Sequence, residues 1–361
     1  MNDTAFEKIL DTMKDRELDA IVVSDPFSID YMCGVLIHSG ERMCVLAVRK
    51  DGEKRIFTSK LFYRQDPPVA MTFYDDTEDP TVSLAEFLAL SRAVAADRSL
   101  PAAFLLPLME KLPETSFVLA DGIVEAVRQV KSEEELEKMR EASKLNDLAI
   151  ERLIPLVAKG LTEIELGEEL LRIYRSLGAD GFSFEPIIAF GKNASDPHHV
   201  SDGSVGRRGD CVVIDIGCIK DGYCSDMTRT VFIGEADGTS RRIYDIVFEA
   251  NLMGIAAVRP GARFCDIDRA AREHIEKAGY GAYFTHRLGH SIGRQVHEWG
   301  DVSAANTDTV KEGMVFSIEP GIYLPGKLGV RIEDLVEVTS DGCRVLNSFT
   351  KEPIVVEEKD E

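Results

Sequence analysis

His286-Arg287-Leu288-Gly289-His290-Ser291-Ile292-Gly293-Arg294-Gln295-Val296-His297-Glu298 gathers three of the chain's seven histidines into one short stretch. His286 and His290 stand four apart, as in a zinc-binding helix, but that motif places Glu directly after the first histidine, and the residue here is Arg287. Gly289 and Gly293 also disfavour a helix. The stretch therefore reads as a glycine-loosened strand and loop, whose backbone approaches a ligand closely while imidazoles project from it. The acids on either side indicate which ligand.

Upstream, Val212-Val213-Ile214-Asp215-Ile216-Gly217 is an apolar strand interrupted by a carboxylate. After a turn around Lys220-Asp221-Gly222 the chain returns as the strand-like run Tyr223 to Val231. The midpoint between Asp215 and Asp226 falls inside the turn, so the two acids are predicted nearly opposite each other. Like charges with β-carbons about 5 Å apart destabilise a strand pair, and burying them adds several kcal/mol per ion unless they are neutralised. Downstream, Met314 to Gly321 runs a strand into a turn with Glu319 at its mouth, and Gly329 to Val336 carries Glu333 inside another. Two divalent cations would cancel four such charges. Oxygen ligands plus one imidazole from His290 suit manganese, cobalt or zinc better than a thiolate-seeking ion. Two metals about 3.5–4 Å apart can share one water, lower its pKa and polarise a carbonyl. The competing explanation, ion pairing with Arg229, Arg331 or Lys220, accounts for one acid far more easily than for all four.

At 361 residues the chain exceeds one typical core, which predicts two domains. Phe6, Ile9, Leu10 and Met13 form one helical stripe. A buried strand, Ala20 to Val23, follows, with further strand-like runs at 44–48, 55–58, 69–74 and 117–120 and a helical stretch near Leu84–Ala95. This alternation predicts a mixed α/β domain over residues 1–126. No glycine-rich phosphate loop follows Val23, so nucleotide binding has no support.

Past a boundary near Ala126–Val130, residues 127–361 form the second domain. Ser132 and Glu135 make a capping box opening a long helix that closes at Gly160, and Thr162 and Glu165 make another for a helix ending at Gly178. The pattern returns after Pro260-Gly261, with a helix from about Phe264 to Lys277. Gly160 to Gly178 and Gly261 to Gly279 are both 18 residues apart. Each half then delivers a strand pair bearing two acids, which reads as a duplicated ααββ unit.

A net charge of −21 argues against a nucleic-acid partner. No apolar run reaches the length of about 18 residues needed for a membrane span, and no signal peptide is legible. Seven scattered cysteines without a C-x-x-C pair indicate neither a disulfide framework nor a cysteine zinc site, and the expected location is the reducing cytoplasm.

Taken together, Asp215-x-Gly217, Ser225-Asp226-x-Thr228-Arg229-Thr230, His286-x-x-Gly289-His290-x-x-Gly293-x-x-Val296-His297-Glu298, Glu319-Pro320-Gly321-Ile322-Tyr323 and Arg331-Ile332-Glu333-Asp334 resemble the M24 metallopeptidases of the pita-bread fold, in the branch of prolidase and aminopeptidase P. The N-terminal part resembles, more loosely, the creatinase/prolidase N-terminal domain. The resemblance implies five metal ligands, Asp215, Asp226, His290, Glu319 and Glu333, with Asp226 and Glu333 bridging two ions. It also implies a role for His198 (or its neighbour His199) in stabilising the tetrahedral intermediate or shuttling protons, contact of His297 with the scissile amide, and His286 lining the proline pocket. Glu319 is the implied general base, and Arg331 supports a ligand or histidine, unless it is a plain ion pair with Glu333. The implied reaction is hydrolysis of an Xaa-Pro bond, with the metals and His297 or His198 stabilising the oxyanion. Arg294 departs from the family's usual aliphatic residue; pairing with an acid such as Glu298 is its expected role, and contact with a substrate carboxylate the alternative.

A dipeptidase must sense the substrate's free carboxylate, which calls for a cation. The loop Tyr31 to Arg42 resembles one that reaches over the partner's site in homodimeric bacterial prolidases, making Arg42 and His38 candidate substrate contacts. The expected substrate is a small peptide with proline second, a dipeptide in preference to the longer peptides of aminopeptidase P. Metal-free creatinase-like hydrolysis and a non-catalytic binding module are disfavoured because every ligand is retained.

Overall fold

The computed structural model describes residues 2–357. The described residues divide into two compact units, separated between Arg128 and Gln129.

The first unit is built on a six-stranded mixed sheet in the order Met71–Tyr74, Lys54–Ser59, Val45–Arg49, Ala20–Val23, Ala93–Ala96, Ser116–Leu119. Ala20–Val23 is central and wholly buried because both faces are covered. Ile21 and Val23 join Phe6, Ile9 and Met13 of the first helix on one face, and Ala20 and Val22 join Leu84, Leu88 and Leu108 on the other. The helix expected over Leu84–Ala95 spans Thr81–Leu88, and Ala93–Ala96 is a strand, parallel to Ala20–Val23. Alanine's helix preference hides a strand that only its neighbour in the sheet dictates.

The second unit opens with helices Glu133–Leu153 and Glu163–Leu177, each started by the capping box expected of it. The first ends earlier than Gly160, giving way to a 3-10 turn at Ile154–Leu156, because Pro155 cannot continue an α-helix. These helices pack on a four-stranded sheet ordered Ile354–Val356, Met227–Ile233, Cys211–Ile216, Ile187–Phe190, burying Leu145, Leu166, Leu170 and Tyr174 against Val212, Ile214 and Val231. A second helix pair, Gly238–Ala257 and Phe264–Lys277, packs against a five-stranded sheet ordered Glu298–Val302, Gly289–Ser291, Val315–Ile318, Asp334–Val338, Cys343–Val345. A buried asparagine marks the equivalence of the two halves. Asn146, on the first helix of one pair, donates to the Ile216 carbonyl at 2.9 Å, and Asn251, on the first helix of the other, donates to the Ile318 carbonyl at 2.9 Å. Each thereby fixes a strand end directly beside a site acid, Asp215 in one half and Glu319 in the other.

The register between the first two acids differs from expectation. Asp221 and Gly222 both take left-handed φ, 49° and 76°, so they form the two-residue hairpin turn themselves, and Lys220 pairs with Tyr223. Carried along the strands, this sets Asp215 opposite Thr228 instead of Asp226. Continuing the register puts Asp226 opposite Gly217, a diagonal neighbour of Asp215 on the same face. Among the described residues no helix is long and apolar enough to cross a membrane.

Candidate metal centre

Asp215, Asp226, His290, Glu319 and Glu333 all line one cavity of about 360 Å³ in the second unit. Asp215 sits within its strand, on the face opposite Val212 and Ile214 that pack under the helices. The other acids flank strands: Asp226 precedes Met227–Ile233, Glu319 follows Val315–Ile318, and Glu333 separates Leu328–Arg331 from Asp334–Val338. His290 is central in Gly289–Ser291. A β-carbon on Gly289 would lie 1.9 Å from the Ser317 carbonyl oxygen, so glycine is what lets His290 approach the strand that carries Glu319. Ser317 accepts from the His290 backbone N–H at 3.0 Å and donates to Glu319 Oε1 at 3.0 Å, coupling the two.

The His290 Nε2 atom lies 3.5 Å from both Asp226 Oδ2 and Glu319 Oε1. Ligand atoms of Asp226, His290 and Glu333 lie within 4.8 Å of one another. Burial, then the neighbouring Asp215 charge, pushes the Asp226 carboxyl well above the ordinary range; burial, then Asp226, does the same to Glu333. Glu319 is pushed up to about 7, chiefly by burial. Burial pulls His290 down, toward the neutral imidazole that a metal requires. A proton on Nδ1, which faces the Ser291 carbonyl at 3.3 Å, leaves the Nε2 lone pair toward the acids.

Among the described residues that line the cavity, Arg331 is the cation paired with one of these acids, while Arg287 also lines the cavity. Arg331 donates from Nη2 to Asp215 Oδ2 at 2.6 Å, from Nη1 to the Tyr323 hydroxyl at 2.8 Å and from Nε to Thr228 Oγ1 at 3.1 Å. Its acid is thus Asp215, and the plain pair with Glu333 is not made. Arg229 is occupied by Asp334 at 2.7 Å. Lys220 stands 3.6 Å from Asp221. The buried oxygens Asp215 Oδ1, Asp226 Oδ1 and Glu333 Oε1 receive no hydrogen bond. An orphaned buried acceptor costs about 1–3 kcal/mol, more when charged. Three converging in one cavity beside a neutral imidazole fit a divalent metal centre.

Around the acids stand the histidines. The His297 ring is perpendicular to that of His290, centroids 4.3 Å apart, and desolvation followed by that neighbour pulls it down to about 4. His286 is pulled to about 3, mainly by burial, and its Nε2 lies 3.0 Å from the Tyr323 hydroxyl, so a chain of contacts runs from His286 through Tyr323 and Arg331 to Asp215. His198 lines the cavity too, whereas the ring of His199 meets Glu163 at 2.7 Å. Phe184, Ile187 and Val296 add apolar lining.

The remaining candidates are not among the residues that line the cavity. Arg42 and His38 belong to the first unit; Arg42 forms a two-pronged pair with Asp76 and a contact with Glu41, and His38 edges Phe27 at 6.2 Å. Arg294 meets Glu298 through its backbone N–H at 2.9 Å, while its guanidinium lies over Tyr223. Lys131 forms a buried ion pair with Glu298 at 3.2 Å. Thr228 donates to Glu333 Oε2 at 2.7 Å; the motifs name Thr228 and Tyr323, but the sequence assigned neither of them, nor Ser317, a hydrogen-bonding role. A threonine two residues beyond Asp226, on its face of the strand, was the available signal.

The model of metallopeptidase family M24 matches residues 137–340, and that of the creatinase/prolidase N-terminal domain matches residues 6–130. An uncharacterized peptidase of Staphylococcus aureus is 35% identical over 352 residues, covering 96% of this chain and 100% of that protein. Two solved structures share the fold: a dipeptidase from Pyrococcus horikoshii, 35% identical with TM-score 0.90 over 98% of this chain and 100% of that one, and a prolidase from Pyrococcus furiosus, 30% identical with TM-score 0.86 over 94% and 99%. The two helix-paired halves around one acidic cavity are the pita-bread architecture, and with these matches the chain belongs to metallopeptidase family M24.

Proposed function

We propose that the chain is a divalent-metal Xaa-Pro dipeptidase. The observation that carries this is the convergence of Asp215, Asp226, His290, Glu319 and Glu333 on one cavity, with three of their oxygens lacking any donor. These five residues would hold two ions, manganese first, with cobalt or zinc as alternatives. The chemistry such a centre supplies when bound is Lewis acidity, through a polarised carbonyl and water that ionises near neutral pH. The chain's own residues do the rest. Glu319, oriented by Ser317, takes the proton as water attacks and returns it to the departing prolyl nitrogen. Neutral His297, with His198 also lining the cavity, donates N–H to the oxygen that gains charge. His286, held by Tyr323, and the apolar lining of Phe184, Ile187 and Val296 receive the prolyl ring.

Proline removes the scissile N–H, so a site of this kind, which does not grip that group, suits the substrate. The dipeptidase and prolidase among the similar structures support the choice of a dipeptide. In a cytoplasmic homodimer, Arg42 and His38 would contact the partner's substrate, which requires Arg42 to loosen its pairing with Asp76.

The test is to assay Ala-Pro beside a longer Xaa-Pro-Xaa peptide with added manganese. The expected result is hydrolysis of Ala-Pro and little turnover of the longer peptide. Cleavage of the longer peptide alone would make the chain an aminopeptidase P; cleavage of neither would remove the peptidase assignment.

A further inference from the structure

The second unit contains another cluster of metal-type side chains, Glu163, His199 and Asp202, with ligand atoms within 4.8 Å of one another. Its hydrogen bonding is unlike that of the cavity acids. Glu163 is fully buried at the first position of helix Glu163–Leu177, and both its oxygens are taken. The Oε1 atom accepts from the Phe190 backbone N–H at 2.9 Å and from Asn193 Nδ2 at 3.0 Å. The Oε2 atom accepts from His199 Nε2 at 2.7 Å and from the Asp202 backbone N–H at 2.8 Å. Four donors fill an ionised carboxylate. No lone pair is left for a cation, and the helix N-terminus favours the negative charge.

All four donors lie on one segment, residues 190–202, and they are divided between its two ends. Between those ends stand Pro197 and His198, and His198 lines the cavity. Other contacts fasten parts of the segment. Arg331 Nη1 reaches the Pro197 carbonyl at 3.4 Å, Gly326 N–H donates to Ser195 at 3.0 Å, and Ser201 bonds back to Ile188. Glu163 is what joins the start of the segment, its end and the residue next to His198 to one atom pair.

We infer that Glu163, with His199, is a positioning device for His198: the buried carboxylate staples both ends of the 190–202 segment and so fixes where the His198 imidazole stands against the substrate. Glu163 and His199 are positioning residues and do not line the cavity. The inference rests on the proposal that this cavity is the peptidase site and that His198 meets the substrate.

The test is a pair of double-mutant cycles, Glu163→Gln and His199→Gln, each alone and combined with His198→Ala, read as kcat and KM on Ala-Pro, with metal content and thermal midpoint recorded. If Glu163 acts through His198, E163Q lowers kcat about 10-fold or more with little change in KM, while in the H198A background it costs less than about 2-fold. Losses that multiply, or an E163Q enzyme with the wild-type rate, would overturn the inference. Should E163Q not fold, the H199Q cycle decides by the same criterion, because that side chain is partly accessible. An enzyme inactive on every Xaa-Pro peptide would defeat the peptidase proposal instead. Amide hydrogen exchange then decides the stapling: the variants should exchange residues 198–202 about 10-fold faster than wild type with the Cys211–Ile216 strand unchanged, and unaltered exchange would overturn it.

Discussion

Glu163 and Glu333 are both buried glutamates of the second unit, 0% and 2% exposed. Glu163 receives four donors from one segment of chain. Glu333 receives one hydroxyl, from Thr228, on Oε2 and nothing on Oε1, and it faces further acids across a cavity. The protein supplies all the positive partial charge the first carboxylate needs. At the second it leaves the charge to arrive from outside. If Glu333 is a metal ligand, as proposed, the two clusters differ less by residue type or spacing, which they share, than by lone pairs left unused.

The comparison breaks most clearly in stability measured without metal. In chelator-treated protein, Glu333→Gln should stabilise by about 1–2 kcal/mol, because it removes a buried charge that faces other anions. Glu163→Gln should destabilise by about 3 kcal/mol, because donors evolved around a charge lose it. Urea unfolding of the two variants beside wild type reads both signs, and two shifts of the same sign would erase the distinction.

A smaller effect is carried by pH. Glu319 is raised to about 7 and Asp226 and Glu333 are raised too, so the folded chain holds more protons than the unfolded one. In metal-stripped protein these acids therefore lower stability as pH climbs from their unfolded values, 3.8 for Asp226 and 4.5 for the glutamates, through about 7. His286, pulled down to about 3, works in the opposite sense below its unfolded value of 6.5, and exposed His297 does so more weakly. That opposing contribution is half gone by about pH 6.5 and fades over roughly the next pH unit. Stability of the stripped protein should then fall by about 1–2 kcal/mol up to about pH 8, and a saturating divalent cation should abolish the slope. Urea midpoints that stay flat or rise over that range without metal would contradict the raised acids.

Much of the catalytic unit was legible because its signals are local. Ser132 with Glu135 and Thr162 with Glu165 announce helix starts, and Asp215 within an apolar strand announces a charge that needs an explanation. The register was not legible. It depends on Asp221 and Gly222 taking left-handed φ, and moving the turn by one residue moves the cross-strand partner by two. The strand Ala93–Ala96 was hidden because alanine carries no strand signal and its partner Ala20–Val23 is distant in sequence. The roles of Thr228, Tyr323 and Glu163 were not legible for a related reason. Their chemistry lies in hydrogen bonds to remote residues, and a glutamate inside a capping sequence looks like any other helix-start acid.

The most direct measurement is calorimetric titration of chelator-treated, dialysed protein with manganese, run beside Glu333→Gln and Glu163→Gln. Two equivalents bound per wild-type chain, fewer than two for Glu333→Gln and two for Glu163→Gln are expected. Wild-type protein that binds no manganese, cobalt or zinc, or a Glu333→Gln variant that still binds two equivalents with unchanged affinity, would contradict the assignment of the unfilled carboxylate oxygens to metal.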